Sequence, residues 1–145
     1  DYGIPVGNAR MALEAEASAI SAGETAVVIA YGMGVYWAQK AAEAFPGQIS
    51  ILDLRTLAPW DRVEVMAKAR THGRVLVLTE ECSSPSFAQS VQGAIAEECF
   101  EFLDAPVQLM GAVNVPAIPL NTTLEQTMLP NAEKVERALR SLLAY

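Results

Sequence analysis

Apolar runs alternate with amphipathic segments along most of the chain. Four runs are rich in valine, isoleucine and leucine and show little alternation of apolar with polar residues, which is typical of strands covered on both faces. These runs are TAVVIAY (25–31), ISILDL (49–54), RVLVLT (74–79) and PVQLMG (106–111). Each run is therefore predicted to be a buried β-strand.

The segments between these runs repeat their apolar residues every three or four positions, which is the period of an amphipathic helix. The predicted apolar faces are Val35, Ala38, Ala42 and Phe45; Val63, Met66 and Ala67; Phe87, Val91, Ala94, Ile95 and Phe102; and Val135, Ala138, Leu139 and Leu142. Strands that alternate with helices at this spacing are joined by right-handed parallel crossovers. We therefore expect an α/β fold whose sheet is mostly parallel.

Two parts of the chain have a weaker pattern. Residues 9–22, ARMALEAEASAISA, fit either a short strand followed by a helical insertion or one helix, and we favour the strand and insertion. Residues 111–121, GAVNVPAIPLN, have prolines and no period, which predicts a loop, and Asn131 is the expected N-cap of the last helix.

Size and composition indicate one compact domain. The chain has 145 residues, of which 52% are hydrophobic, and no apolar run reaches the roughly 18 residues of a membrane span. A net charge of −7 disfavours nucleic acid and anionic lipid and suits a basic protein partner, although solubility alone also explains it. We expect a soluble, cytoplasmic protein. Because the first residue is not methionine, we expect it to be a piece of a longer chain.

The two cysteines, Cys82 and Cys99, have a spacing that matches no metal or redox motif. Two buried, reduced thiols in a reducing compartment are the expected state.

The segment ILDLRTLAPWD (51–61) contains the most conspicuous charges. Asp53 and Arg55 are two positions apart, so on a strand they would share one side and could form charge-assisted hydrogen bonds. Pro59 would fix the following turn, and Asp61 would cap the next helix, with Glu64 completing a capping box. We expect these residues to close a strand, and a catalytic role is the less favoured alternative.

Gly32 lies in the segment YGMG (31–34), where a strand leads into a helix and backbone amides can bind phosphate. The dinucleotide-binding motif requires a small residue where this chain has Trp37. A tight strand-to-helix turn at Gly32 is therefore the favoured interpretation.

Other polar residues offer little chemistry. His72 is the only histidine and is expected to be an exposed turn residue. Glu80 and Glu81 follow a strand, where paired carboxylates could transfer protons, but a solvated loop is favoured. Ser84 or Ser86 is expected to cap a helix, because a catalytic serine needs a base that the chain hardly provides. The sequence predicts no catalytic, cofactor-binding or metal-binding residue.

The order and spacing of several segments resemble one family. The segments are IPVGNAR (4–10), YGMGVYWAQKAAEAF (31–45), ILDLRTLAPWD (51–61), RVLVLTEE (74–81), FLDAPVQLMG (102–111) and LEQTMLPN (124–131). Together they resemble the transketolase C-terminal-like domain of the beta subunit of thiamine diphosphate-dependent 2-oxo acid dehydrogenases, of the pyruvate or branched-chain type. The chain departs from the family pattern in Asn8 for lysine, an insertion at 15–23, Asn114 for aspartate, and SSPSFAQS without glycine.

The resemblance implies a three-layer α/β/α domain with a five-stranded, mixed sheet and an antiparallel edge strand near residues 9–14. In such enzymes other domains bind the thiamine diphosphate and magnesium on which a 2-oxo acid is decarboxylated. The C-terminal domain packs against the remaining domains and the alpha subunit or its fused equivalent. It also docks the basic peripheral subunit-binding domain of the lipoyl acyltransferase, through contacts that correspond here to Asp104 and the carboxylate of Tyr145. A eukaryotic member would lie in the mitochondrial matrix.

Two other functions remain open. One is the C-terminal domain of a transketolase-like or deoxyxylulose-phosphate synthase-like enzyme, although DLRTLAPWD favours the dehydrogenase beta subunit. The other is a free-standing protein that binds a small ligand at the YGMG turn and Glu80.

Overall fold

The computed structural model describes residues 3–116 and 119–145 and contains a five-stranded sheet in the order β1-β3-β2-β4-β5. The edge strand β1 is antiparallel to β3, and the other neighbouring pairs are parallel. The strands are β1 Arg10–Leu13, β2 Ala26–Ala30, β3 Ile49–Asp53, β4 Val75–Cys82 and β5 Gln108–Ala112. The mixed sheet with its antiparallel edge strand confirms the predicted fold class.

Helices cover both faces of the sheet. They are α1 Ala17–Ser21, α2 Met33–Ala42, α3 Arg62–His72, α4 Phe87–Glu98, α5 Thr122–Met128 and α6 Ala132–Leu142, with a 3₁₀ turn at Phe100–Phe102. One apolar cluster joins α2 and α6 to one face, and a second joins α3 and α4 to the other. This arrangement confirms the expected three layers.

The central strands are apolar because both of their faces are buried. In β2 every residue is fully buried, with Val28 in the cluster under α2 and α6 and Val27 and Ile29 in the cluster under α3 and α4. Side chains on a strand point to opposite faces in turn, so burial of both faces removes the alternation of apolar and polar residues. The uninterrupted apolar runs in the sequence have this cause.

Residues 10–21 form a strand followed by a helix, which confirms the favoured interpretation of this segment. The backbone N–H of Ala15 donates to Ser50 Oγ at 3.0 Å, and the N–H of Glu16 donates to Gly47 O at 2.8 Å. These bonds attach the chain to β3 and to the turn before it, just ahead of α1, which has no buried residue.

Several element boundaries differ from those predicted. Strand β4 continues through Cys82, so Glu80 and Glu81 belong to a strand and not to a loop. Helix α4 ends at Glu98, and Phe102 lies in the 3₁₀ turn. Residues 111–112 of the expected loop belong to β5, and residues 117–118 lie outside the described residues.

Helix α5 was not predicted. It has seven residues, and Met128 is the one that is buried. The helix therefore has no repeat of apolar residues from which it could be predicted. Three helices begin with a side-chain N-cap that accepts a backbone N–H of the first turn. The caps are Ser86 for α4, Asn121 for α5 and Asn131 for α6.

The two cysteines are both free. Cys99 is buried, as expected, whereas Cys82 is only partly buried at the end of β4, so the prediction of two buried thiols is wrong for Cys82. Among the described residues, every helix is too short or too polar to cross a bilayer.

The prediction that His72 is exposed is wrong. Helix α3 continues through His72 and ends at Gly73, which has a left-handed φ of 66°, and the imidazole is only 3% exposed. Its Nδ1 lies 2.7 Å from Thr25 Oγ1. Burial lowers the pKa of His72 to about 4, with a smaller contribution from the positive charge of Lys68, because both disfavour the imidazolium.

His72 should make the fold sensitive to acid. Its pKa is about 4 when folded, against an ordinary value of 6.5, so the unfolded chain binds the proton first. The contribution of neutral His72 to the free energy of unfolding should therefore be fully present above pH 6.5. It should be lost as the pH falls towards 4, by up to roughly 3 kcal/mol at about 1.4 kcal/mol per pKa unit. Urea unfolding of the wild type and His72→Gln at several pH values checks this. Equal pH slopes for the two proteins would contradict it.

Gly111 and Gly93 provide a matched pair of stability tests. A Cβ on Gly111 would lie 2.7 Å from the backbone O of Glu81, whereas a Cβ on Gly93 in α4 would meet nothing within 4 Å. Gly111→Ala should lower the free energy of unfolding by about 1–3 kcal/mol through overpacking. Gly93→Ala should raise it by about 0.5–1 kcal/mol through helix propensity. Thermal unfolding measures both, and a loss of stability in Gly93→Ala would refute the assignment of open space there.

Candidate docking surface

The segment 97–104, EECFEFLD, combines acidic and aromatic residues at one end of the sheet. It has four acidic residues and no basic residue. It leads from α4 into β5, so it lies at the end of the sheet where the parallel strands begin. We call this the amino end of the sheet, and the opposite end the carboxyl end.

A groove of about 570 Å³ opens between α4 and the chain that leads into β5. Its apolar side includes Phe100, which is 76% exposed, and the small residues Gly93 and Ala96. Asp104 lies in its lining, and the exposed Glu97 and Glu101 are close in sequence. An apolar groove with a carboxylate in its lining suits a partner that presents apolar and cationic side chains together.

Asp104 is half-exposed at this groove. Its side chain is 54% exposed, and its Oδ2 lies 3.4 Å from Nη1 of Arg74. Its backbone N–H donates to Gly73 O at 2.9 Å. The carboxylate is thus attached to the protein on one side and open to a partner on the other.

Tyr145 lies at the same end of the sheet as Asp104 but on the other helical layer. The N–H of Val113 donates to Met128 O, which places the start of α6 close to the carboxyl end of β5. Helix α6 then returns towards the amino end, where Leu142 and Ala105 belong to one apolar cluster. Tyr145 is 65% exposed and does not line the groove that contains Asp104.

Asp53 and Arg55 do not form the side-chain pair that was expected. Strand β3 ends at Asp53, and Arg55 has a left-handed φ of 59°, so the two residues do not share a strand face. The carboxylate of Asp53 accepts a hydrogen bond from the backbone N–H of Arg55 at 3.1 Å. Arg10 is the cross-strand neighbour of Asp53 in the antiparallel pair, a proximity that the sequence did not reveal.

Residues 56–61 attach the amino-terminal segment to α3. Asp61 Oδ1 accepts the N–H of Glu64 at 3.1 Å as the N-cap of α3, and its Oδ2 accepts the N–H of Ala9 at 2.9 Å. Thr56 Oγ1 accepts the N–H of Gly7 at 2.9 Å and donates to Pro59 O at 2.8 Å. This segment therefore holds two parts of the chain together, and its polar groups are engaged in doing so.

At the carboxyl end of the sheet, acidic side chains contact the protein itself. Gly32 has a φ of 57°, and a Cβ there would lie 2.6 Å from Glu80 Oε1. The Tyr31 hydroxyl donates to Glu81 Oε1, which also accepts the N–H of Ala88 at 3.3 Å. Burial and the Glu81 carboxylate raise the pKa of Tyr31 above its ordinary value. A carboxylate against Gly32 would repel a phosphate, so the glycine serves a tight turn.

The residues at the amino end suit binding better than catalysis. Within the described part of the chain, no group of three or more histidine, cysteine or acidic residues could hold a metal ion. The sequence interpretation missed Arg74 beside Asp104 and the exposed Phe100. A signal was present for Phe100, which lies outside the apolar repeat of α4 next to three acidic residues.

A comparison with protein families matches residues 15–135 to the family described as transketolase, C-terminal domain. The chain belongs to the transketolase C-terminal domain family. This family membership confirms the resemblance noted in the sequence.

Curated relatives of this transketolase C-terminal domain include dehydrogenase beta subunits. The 2-oxoisovalerate dehydrogenase subunit beta of Bacillus subtilis is 33% identical over 148 residues, covering 100% of this chain and 43% of the relative. The pyruvate dehydrogenase E1 component subunit beta of Rhizobium meliloti is 28% identical, covering 98% of this chain and 30% of the relative. The chain therefore spans less than half the length of these relatives.

A solved structure described as a split gene transketolase, inactive beta4 tetramer, has a similar fold. Its TM-score is 0.74 at 22% sequence identity, over 97% of this chain and 44% of that chain. At this sequence identity the similarity shows a shared fold and nothing more.

Asp61 should contribute more to the stability of this transketolase C-terminal domain than Asp53. Asp61→Ala removes a helix cap and the bond to Ala9, so it should lower the free energy of unfolding by about 1–2 kcal/mol. Asp61→Asn, which keeps the cap, should cost less. Asp53→Ala removes one exposed bond and should cost under about 1 kcal/mol. Urea unfolding measures all three, and equal losses for the two alanine variants would contradict the ranking.

Proposed function

We propose that this transketolase C-terminal domain is an assembly and docking domain of a thiamine diphosphate-dependent 2-oxo acid dehydrogenase of the pyruvate or branched-chain type. The parent enzyme oxidatively decarboxylates a 2-oxo acid and transfers the acyl group to a lipoyl acceptor. The remaining domains and an alpha subunit, or its fused equivalent, supply the thiamine diphosphate and magnesium contacts. The domain has no catalytic role alone, and its compartment is the cytoplasm, or the mitochondrial matrix in a eukaryote.

The identity of the relatives supports the enzyme class. The beta subunits named as 2-oxoisovalerate and pyruvate dehydrogenase components align with 98–100% of this chain. Because the chain covers 43% and 30% of those relatives, the catalytic part of the enzyme is proposed to lie in sequence that this domain does not contain.

The groove at the amino end carries the docking proposal. Phe100, which lines the groove, is 76% exposed, and Phe102 nearby in sequence is 51% exposed. A large exposed apolar side chain at a groove is a feature of protein interaction sites. The guanidinium of Arg70 lies 5.7 Å from the Phe102 ring, which holds that ring against α3, while Phe100 remains open. An aromatic anchor beside a half-exposed carboxylate has the composition of an energetic centre in a protein interface.

The partner we propose for this groove is the basic peripheral subunit-binding domain of the lipoyl acyltransferase. Its cationic side chains would meet Asp104, and Glu97 and Glu101 would add long-range attraction. The net charge of −7 favours association with a basic module for the same reason. Tyr145, which is 65% exposed, is proposed as a second contact at the same end of the sheet.

The small-ligand alternative has less support. It requires the YGMG turn to accept a ligand, and the Glu80 carboxylate lies against Gly32 in that turn. Saturable nucleotide binding measured by calorimetry would favour this alternative over docking.

Asp104→Ala should weaken docking without unfolding the domain. Loss of the carboxylate should raise the Kd for the purified peripheral subunit-binding domain roughly tenfold, or about 1.4 kcal/mol. Since Asp104 is half-exposed, its removal should change the free energy of unfolding by less than about 1 kcal/mol. Isothermal titration calorimetry with the intact protein gives the affinity, and thermal unfolding gives the stability.

Glu133→Ala is the matched control for Asp104→Ala. Glu133 is in the first turn of α6 and its side chain is 80% exposed, so its removal changes the net charge equally but away from the groove. It should alter the Kd by less than about twofold. An unchanged affinity of Asp104→Ala, or an equal loss in Glu133→Ala, would overturn the proposed docking site.

A further inference from the structure

The side chain of Arg74 is mostly buried, in an arrangement that its contribution to folding explains poorly. Its side chain is only 13% exposed, and its Nη1 donates to Gly23 O at 2.6 Å. Its Nε is buried without a hydrogen-bond partner. A mostly buried guanidinium with an unsatisfied donor costs free energy, which an ion pair with a half-exposed acid returns only in part.

The backbone beside Arg74 is shaped around the Asp104 carboxylate. Gly73 has a left-handed φ of 66°, and a Cβ there would lie 2.5 Å from Asp104 Oδ2. The N–H of Asp104 donates to Gly73 O at 2.9 Å. The carboxylate therefore lies over a position without a side chain, with Arg74 3.4 Å from its Oδ2.

We propose that Arg74 is a positioning residue that holds the Asp104 carboxylate in place for a cationic partner, using the carbonyl of Gly23 as its own anchor. This inference rests on the proposed docking function and identifies the residue that orders the Asp104 carboxylate before the partner binds. It also connects the loop that follows α1 to the docking surface, because Gly23 lies between α1 and β2.

The physical advantage is that Asp104 is ordered before the partner arrives. Immobilising a side chain in an interface costs conformational entropy, and a side chain that is already fixed avoids that cost. Arg74 does not simply neutralise the acid, because 54% of the Asp104 side chain remains exposed. The guanidinium itself is fixed by Gly23 and by burial, so it can stay in place when a second cation approaches.

The first test uses the free, intact protein. Side-chain carboxyl relaxation measured by ¹³C NMR should show Asp104 becoming more mobile in Arg74→Met than in the wild type. Arg137→Met is the matched control, because Arg137 is an exposed arginine of α6. It should leave Asp104 unchanged. An Asp104 carboxyl that is equally ordered in the wild type and Arg74→Met would overturn the inference.

The second test is a double-mutant cycle in docking. The probe is the purified peripheral subunit-binding domain of the lipoyl acyltransferase, titrated into wild type, Arg74→Met, Asp104→Ala and the double variant. If Arg74 acts through Asp104, Arg74→Met should raise the Kd about three- to tenfold when Asp104 is present, and less than about twofold in the Asp104→Ala background. A merely structural Arg74 would weaken docking equally in both backgrounds, and tighter binding by Arg74→Met would mean that it competes with the partner. Either result overturns the inference.

Arg74→Lys is a second variant that keeps the test informative if Arg74→Met does not fold. Lysine keeps the charge, but its flexible ammonium lacks the rigid guanidinium plane that holds Nη1 between Gly23 O and Asp104 Oδ2. It should stay folded and raise the Kd by a smaller factor, again only when Asp104 is present. The cycle also separates two failures. Unchanged affinity of Asp104→Ala would reject the proposed docking function, whereas a weakened Asp104→Ala with additive effects of Arg74→Met would reject only the role of Arg74.

Discussion

Burial of both faces of the parallel sheet is the constraint on which the rest of the structure depends. Every residue of β2 is fully buried, and the helical layers close over the sheet from either side. Side chains on these faces are mostly apolar, because a polar group there must find a partner inside the protein, as Ser50 does with the backbone N–H of Ala15. Polar chemistry is consequently restricted to the two ends of the sheet and its edges. The two ends of the sheet can therefore present small surfaces that differ in charge and polarity.

The two ends of the sheet differ in how they use their acidic residues. At the carboxyl end Glu80 lies close to Gly32, and Glu81 accepts hydrogen bonds from Tyr31 and Ala88, so the Glu81 carboxylate is engaged within the fold. At the amino end Asp104 is half-exposed beside Phe100, which is mostly exposed. Open α/β sheets usually bind small ligands at the carboxyl end, and here the better candidate surface is at the opposite end. This difference is the structural reason for preferring a protein partner to a small ligand.

Sequence reasoning succeeded where local patterns are repeated and failed where a contact joins distant residues. The helix caps Asp61, Ser86 and Asn131 were predictable because a cap bonds to residues two or three positions away. The burial of His72 was not, since it depends on Thr25, which is 47 positions away in the sequence. The failure at Arg55 has a backbone cause, because its left-handed φ ends the strand periodicity that the prediction assumed.

The amino-acid sequence by itself determined the α/β class, the parallel sheet and the family, because apolar periodicity and ordered motifs are properties of the chain alone. It also singled out Asp104 through the family resemblance. Only the tertiary structure brought Gly23, Gly73 and Arg74 together with that carboxylate. With Asp104 they lie in three connections, and Gly23 and Asp104 are 81 positions apart in the sequence. The cause is the parallel topology, which returns each strand to the same end of the sheet and so assembles residues there that no local pattern links.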